Sequence, residues 1–254
     1  MKAVLLAGGM GTRMREETEF RPKPMVEVGG EPILVHIMRN LAQHGIHEFV
    51  VATGYKSEVI EGYFATHPQW EVIGRSADVL QVKGGPAADA WQVWIAYTGE
   101  ATGTGGRVKR IAPLLAGERF FVTYGDGLAD VDVTGLLAFH QESGGLATLT
   151  AVQPTSRFGL MDIDDAGRVT HFREKPKMKD WVSIGYFIFE PEVLDYLNED
   201  CGLEEDGLTP LAAGGHLRAL RHEGFWQPMD TYREYLILQR LWDAGQAPWR
   251  SGQG

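Results

Sequence analysis

The stretch Lys2-Ala3-Val4-Leu5-Leu6-Ala7-Gly8-Gly9-Met10-Gly11-Thr12-Arg13 carries the first structural decision in the chain. Ala3 to Leu6 form a short, continuous apolar run stopped by Gly8 and Gly9, the pattern of a strand buried on both faces of a parallel sheet. A glycine-rich turn follows at once, so backbone amides can converge on phosphate without side-chain obstruction. Neither familiar nucleotide motif fits it. The dinucleotide pattern would begin at Gly9 and Gly11 but finds Met14 at its third glycine, and a Walker loop starting at Gly8 would need glycine where Arg13 stands. A phosphate loop of another kind is expected.

Downstream, Pro32 sits where a helix can start, and Ile33, Leu34, Ile37, Met38 and Leu41 repeat on one face until Gly45 offers a stop. Phe49 to Ala52 read as a second buried strand, and Ser57 as the cap of a short helix ending near Phe64. Strand and helix alternate, which predicts right-handed crossovers and a parallel sheet covered on both faces. Residues 70–97 are less regular: two short β-like runs, the second Trp91 to Tyr97, flank Gly84-Gly85-Pro86, and a hairpin or flap is expected. A helix is predicted over Gly105 to Leu115 and a buried strand over Phe120 to Thr123. Asp132 is placed to cap a helix through Phe139. Residues 147–189 alternate in β fashion, with turns at Asp164 to Gly167 and around Pro176, and Thr231 to Gly245 form a closing helix. The expected fold class is α/β: a Rossmann-like mixed, mostly parallel sheet with helices on both faces and a small β-rich extension. A single domain over 1–254 is expected, with 1–135 forming mainly one half and 136–254 the other.

Composition narrows the function. The 24 lysines and arginines against 34 aspartates and glutamates leave a net charge of −10, which argues against a broad electrostatic grip on nucleic acid or an anionic membrane. Any anionic ligand must meet locally placed cations. The single cysteine, Cys201, rules out an internal disulfide, and a reducing cytoplasm fits best. The apolar run at the start is too short for a signal core, and no stretch approaches the ~18 apolar residues of a membrane span.

Arg13, Arg21 and Lys23 supply fixed cations within a dozen residues of the glycine turn, and Pro22 and Pro24 stiffen the segment that presents Lys23. Asp126, in Tyr124-Gly125-Asp126-Gly127, lies at the carboxyl end of a buried strand, where open α/β sheets place their ligands. Gly-Asp-Gly is also ordinary turn chemistry. Asp230 reads equally well as the N-cap of the last helix.

Taken together and in order, several stretches resemble the sugar nucleotidyltransferases, most closely the glucose-1-phosphate cytidylyltransferase branch. They are Lys2 through Arg13, Glu16-Glu17-Thr18, Pro22 to Glu27, Thr104-Gly105-Gly106-Arg107, Tyr124-Gly125-Asp126-Gly127, Glu174-Lys175-Pro176 and Phe225 to Thr231. The resemblance implies magnesium- or manganese-dependent transfer of a nucleotidyl group, CMP from CTP, to a hexose 1-phosphate. It implies a nucleotide site of Leu6, Ala7, Gly8, Gly9, Gly11, Thr12, Arg13, Lys23, Thr102, Arg107 and Gly125, with Arg13, Lys23 and Asp126 catalytic. Asp126 and Asp230 would hold the metal, Glu174, Lys175 and Gly185 the sugar phosphate. Residues 1–135 would then be mainly the nucleotide-binding half and 136–254 mainly the sugar-binding half. A homo-oligomer is also implied. Two departures concern the sugar side: Ser183-Ile184 stand where the family shows Asn-Gly before Gly185, and only Leu208-Thr209-Pro210-Leu211 represents its acidic tryptophan segment. A metal-dependent isomerase or mutase of a preformed nucleotide sugar, and a non-catalytic nucleotide-sugar sensor, remain alternatives at this stage.

Overall fold

The computed structural model describes residues 1–11, 14, 18, 20–85 and 90–250. Strand β1 (Lys2–Ala7) lies at the centre of a nine-stranded sheet, between β4 (Glu48–Thr53) and β8 (Phe120–Tyr124), and pairs parallel with both. Two tiny strands, β2 (Glu27–Val28) and β3 (Glu31–Pro32), form a separate ladder before the helix Ile33–Ala42. Alternate residues of β1 face opposite cores. Ala3, Leu5 and Ala7 pack with the helix Ile33–Ala42 side, whereas Val4 and Leu6 pack with Val108, Leu115 and Phe187 on the other. That two-sided burial is why the strand reads as an unbroken apolar run rather than an alternating one.

Beyond β4, the sheet continues through β7 (Trp91–Tyr97), parallel to β4, then β6 (Val79–Gly84), antiparallel to β7, and β5 (Trp70–Arg75), antiparallel to β6. The expected hairpin is present: β6 and Trp91 to Tyr97 pair antiparallel on either side of Gly84-Gly85, β5 adds a second antiparallel arm, and all three strands belong to the main sheet. Burial explains the place of Trp91 to Tyr97, because Trp91, Val93 and Ile95 are inaccessible to solvent. On the far side of β8 come β13 (Val182–Phe189), β10 (Ala147–Val152) and β14 (Leu217–Arg221). β13, like β6, runs antiparallel to both its neighbours, while the remaining described strands of the sheet share one direction, so the sheet is mixed but mostly parallel.

Local corrections have local causes. The helix expected over 105–115 is two pieces, Thr104–Arg110 and Ala112–Leu115, because Pro113 lacks an amide proton and its ring crowds the preceding turn. Ser57 is not the cap of its helix. Lys56, left-handed at φ 52°, takes that position, and the Ser57 hydroxyl bonds instead with Thr53, at 2.8 Å, and Glu61. Asp132 does cap the helix Val133–Ser143, accepting from the Gly135 amide. The small β-rich extension is the hairpin of β11 (Leu160–Ile163) and β12 (Val169–Arg173), exposed along its whole length. Two short strands, β9 (Gly127–Ala129) and β15 (Trp226–Pro228), pair beneath the carboxyl ends of the central strands, and the helix Tyr232–Asp243 follows.

Candidate active site

A cleft of about 300 Å³ opens at the carboxyl ends of β1 and β8, where open α/β sheets bind ligands. Leu6, Ala7, Gly8, Gly9 and Gly11 form one wall; Lys23 and Pro24 a second; Thr102, Gly103, Thr104 and Arg107 a third; and Tyr124 with Asp126 the floor. Gly125 ties the two central strands together there, its amide donating to the Leu6 carbonyl at 3.0 Å. Most of the residues proposed from sequence for the nucleotide thus converge on one space. Thr12 and Arg13 lie outside the described residues.

Lys23 sits in a single 3-10 turn, Lys23–Met25, held by Met25 N donating to Pro22 O. The two flanking prolines fix the backbone and leave the side chain as the movable part. Its ammonium donates to Asp126 Oδ2 at 3.0 Å and to Asp230 Oδ1 at 2.5 Å, bridging carboxylates that lie 103 and 207 residues away along the chain. The aspartates are brought together by the β9–β15 ladder, which pairs Gly127 with Pro228, and by the Met229 amide donating to the Asp126 carbonyl. Asp230 is not the cap of the last helix. Thr231 is, with Glu234 completing a capping box, so the Asp230 side chain is left to face Lys23.

The charges shift one another. Burial works to lower the Lys23 pKa, but Asp126 and Asp230 outweigh it and raise the pKa overall. Burial at the cleft floor raises the Asp126 pKa, Asp230 pushes the same way, and Lys23 opposes both. Two close carboxylates sharing one cation are the chemistry expected of a site that prefers positive charge.

Arg107 lines the cleft, yet its guanidinium is committed to oxygens of the protein itself. It donates to the carbonyls of Gly8, Thr53, Gly99 and Glu100 and to the Thr98 hydroxyl, at 2.7–3.2 Å. A Cβ on Gly8 would fall 2.1 Å from the Arg107 Cζ, so glycine is required there for the guanidinium to lie under the loop. Arg107 thereby staples the ends of β1, β4 and β7 together. Thr102 is similarly engaged, its hydroxyl donating to the Thr98 carbonyl at 2.6 Å.

The sugar-side expectations fare differently. Glu174 and Lys175 are exposed, pair with each other at 3.4 Å, and stand apart from the cleft lining. Gly185, at φ 78°, abuts the cleft through Tyr124, whose ring would lie 2.1 Å from any Cβ there. Sequence reasoning passed over Tyr124 and Glu204 as functional residues. The Tyr124 hydroxyl donates to Glu204 Oε1, and the Thr104 hydroxyl donates to Glu204 Oε2 at 3.2 Å, so one carboxylate joins a wall of the cleft to its floor. Tyr124 stood inside a quoted motif and was legible. Glu204 carried no signal, because its partners come from a helix and a strand 100 and 80 residues away along the chain.

The fold is that of an α/β protein with its cleft at the carboxyl ends of the central strands, and the Nucleotidyl transferase family profile matches residues 2–213, so the chain belongs to that family. It is 45% identical over 256 residues to a glucose-1-phosphate cytidylyltransferase of Salmonella typhi, with 99% of both chains covered. It is 38% identical to a probable glucose-1-phosphate cytidylyltransferase of Bacillus subtilis, covering 98% of this chain and 99% of the relative. Among solved structures, HddC from Yersinia pseudotuberculosis superposes with a TM-score of 0.69 at 22% identity, over 95% of this chain and 99% of the other. A UDP-glucose pyrophosphorylase complexed with UDP-glucose does so with a TM-score of 0.70 at 16% identity, over 96% and 98%. These two bear on the fold, which they share.

Proposed function

We propose that the chain transfers CMP from CTP to glucose 1-phosphate, releasing pyrophosphate. The observation that carries this reading is the pair of carboxylates, Asp126 and Asp230, gathered around one cation beneath a glycine loop. Relatives matched end to end that are named as cytidylyltransferases support transfer over isomerisation of a finished nucleotide sugar.

The chemistry asks little of the side chains beyond placement. A sugar 1-phosphate is already an anionic nucleophile, so no general base and no covalent enzyme intermediate is needed. Its oxygen forms a bond to the α-phosphorus while the bond from that phosphorus to the bridging oxygen of pyrophosphate breaks in line. Positioning and charge neutralisation supply the rate. The glycine loop offers backbone amides to the phosphates, and Lys23 and Arg13 add positive charge. Arg107 and Thr102 shape the pocket wall through the protein oxygens they bind. Glu174, Lys175 and Gly185 are assigned to the acceptor side, the first two on the strength of the resemblance. Residues 1–135 then form mainly the nucleotide half and 136–254 the acceptor half.

The two aspartates fit a divalent cation of the magnesium type. They supply hard carboxylate oxygens, and their preference for positive charge is visible in the ammonium they already share. Asp126 and Asp230 would hold it, and when bound it would offset charge on the triphosphate. We also propose that the protein is cytoplasmic and a homo-oligomer. Among the described residues, no helix is long and apolar enough to cross a membrane. Phe158, Met161, Ile163 and Phe172 on the extension are largely exposed, a surface that a second copy would cover.

The test is a turnover assay with magnesium, each nucleoside triphosphate and a panel of sugar 1-phosphates. Pyrophosphate release is expected with CTP and glucose 1-phosphate, and to be abolished by Asp126→Asn in a protein of unchanged fold. Absence of pyrophosphate with every pair would remove the transferase reading.

A further inference from the structure

Lys23 occupies the place between the two aspartates that the proposed function gives to a divalent cation. Its ammonium lies 3.0 Å from Asp126 Oδ2 and 2.5 Å from Asp230 Oδ1, with its side chain 11% exposed against about a third for each aspartate. An ion held at the ~2.0–2.1 Å typical of magnesium and oxygen by those same atoms would lie within about 5 Å of the ammonium. Two cations that close repel strongly in a partly buried site. The two arrangements therefore compete.

We propose that Lys23 is a built-in counter-ion of Asp126 and Asp230, seated between them while no triphosphate is present and drawn to the phosphates when the nucleotide arrives. The divalent site is then completed only in the presence of nucleotide. This deepens the proposed function and rests on its metal site. With the ammonium seated, the cluster of three groups carries a net charge of −1; with it withdrawn, the two carboxylates carry −2 and attract a divalent ion far more strongly. Lysine suits the task, because its compact charge rides on a flexible four-carbon stem. The turn that anchors it is held by Pro22, Pro24 and the Met25 and Val26 amides, so the exchange needs side-chain rotation alone. Binding of metal and of nucleotide become mutually reinforcing, since each favours the state with Lys23 withdrawn.

The test is Mn²⁺ binding to the nucleotide-free full chain, followed by electron paramagnetic resonance. The Lys23→Ala and Lys23→Gln variants should bind Mn²⁺ at least tenfold more tightly than the unaltered protein. The glutamine side chain, one atom shorter than lysine, keeps most of the volume and a hydrogen-bond donor without the charge, which guards against a packing defect in the alanine variant. Adding Asp126→Asn to either should abolish the gain, and a non-hydrolysable triphosphate should narrow the difference between variant and parent. Equal Mn²⁺ affinity of all three nucleotide-free proteins, with tight binding appearing once the triphosphate is added, would overturn the exchange while sparing the metal site. No Mn²⁺ binding even with triphosphate would remove the metal site and the exchange together.

Discussion

Glu234 Oε2 accepts the backbone amide of Asp230 at 2.9 Å, reaching one residue beyond the helix cap that it also completes. The same oxygen takes the Thr231 amide and hydroxyl, and Oε1 takes a guanidinium hydrogen bond from Arg157. This nearly buried carboxylate therefore holds the backbone that carries a proposed metal ligand. Glu234→Ala should cost about 1–3 kcal/mol, the range for leaving buried donors unpaired, and should raise the metal concentration for half-maximal rate. Thr231→Ala is expected to cost about 1 kcal/mol, the usual value for an N-cap, with a smaller effect on the metal titration. Urea denaturation and metal titration of both variants separate capping from positioning; identical titrations would reduce Glu234 to a cap.

Arg107 is expected to matter first for stability. Arg107→Ala would strand several buried or half-buried carbonyls at the ends of β1, β4 and β7, for a loss of about 3 kcal/mol or more. Arg107→Lys should recover less than half of it, because an ammonium cannot reproduce the guanidinium fork. Denaturant midpoints would show it. A near-neutral Arg107→Ala variant would mean that the strand ends hold together without the staple.

Gly185→Ala places a methyl group against the Tyr124 ring and forces a side chain onto a left-handed backbone. Tyr124 should be pushed from Glu204, opening the join between the cleft wall at Thr104 and the floor. A stability loss of about 1–2 kcal/mol and a raised KM for the nucleotide or acceptor are expected from steady-state kinetics. Tyr124→Phe, which removes only the hydroxyl, should raise KM less.

Stability should fall as pH drops through the ordinary imidazole value of 6.5. His36 and His140 are each 1% exposed, and burial lowers the pKa of both. The unfolded chain then gains protons below pH 6.5 that the folded protein does not accept until lower pH, and the difference favours unfolding. Melting temperatures between about pH 7.5 and 5.5 would follow this slope. The paired replacement of both histidines by glutamine should flatten it.

The exposed extension predicts self-association. Phe158→Glu with Phe172→Glu should lower the mass measured by light scattering, leaving helix content unchanged by circular dichroism. An unaltered mass would place the contact elsewhere.

Much of the site was legible because its parts are local. The glycine loop follows β1 directly, and the prolines around Lys23 flank it in sequence. Other parts were read only in part for want of neighbours. The hairpin around Gly84-Gly85 was legible, but that Trp91 to Tyr97 also lie parallel beside β4 was not, and of the two readings of Asp230 the cap falls away because Thr231 fills that place.

The sequence alone determined that a two-sided buried strand runs into a glycine-rich turn, because burial on both faces and backbone access are written in residue types that need no partner to be recognised. Only the tertiary structure decided that Lys23 lies between Asp126 and Asp230, that Arg107 serves the backbone beneath the loop, and that Glu204 and Glu234 join the site. Each of these depends on segments far apart in the chain meeting near one sheet end, and hydrogen bonds across such separations leave no periodicity behind.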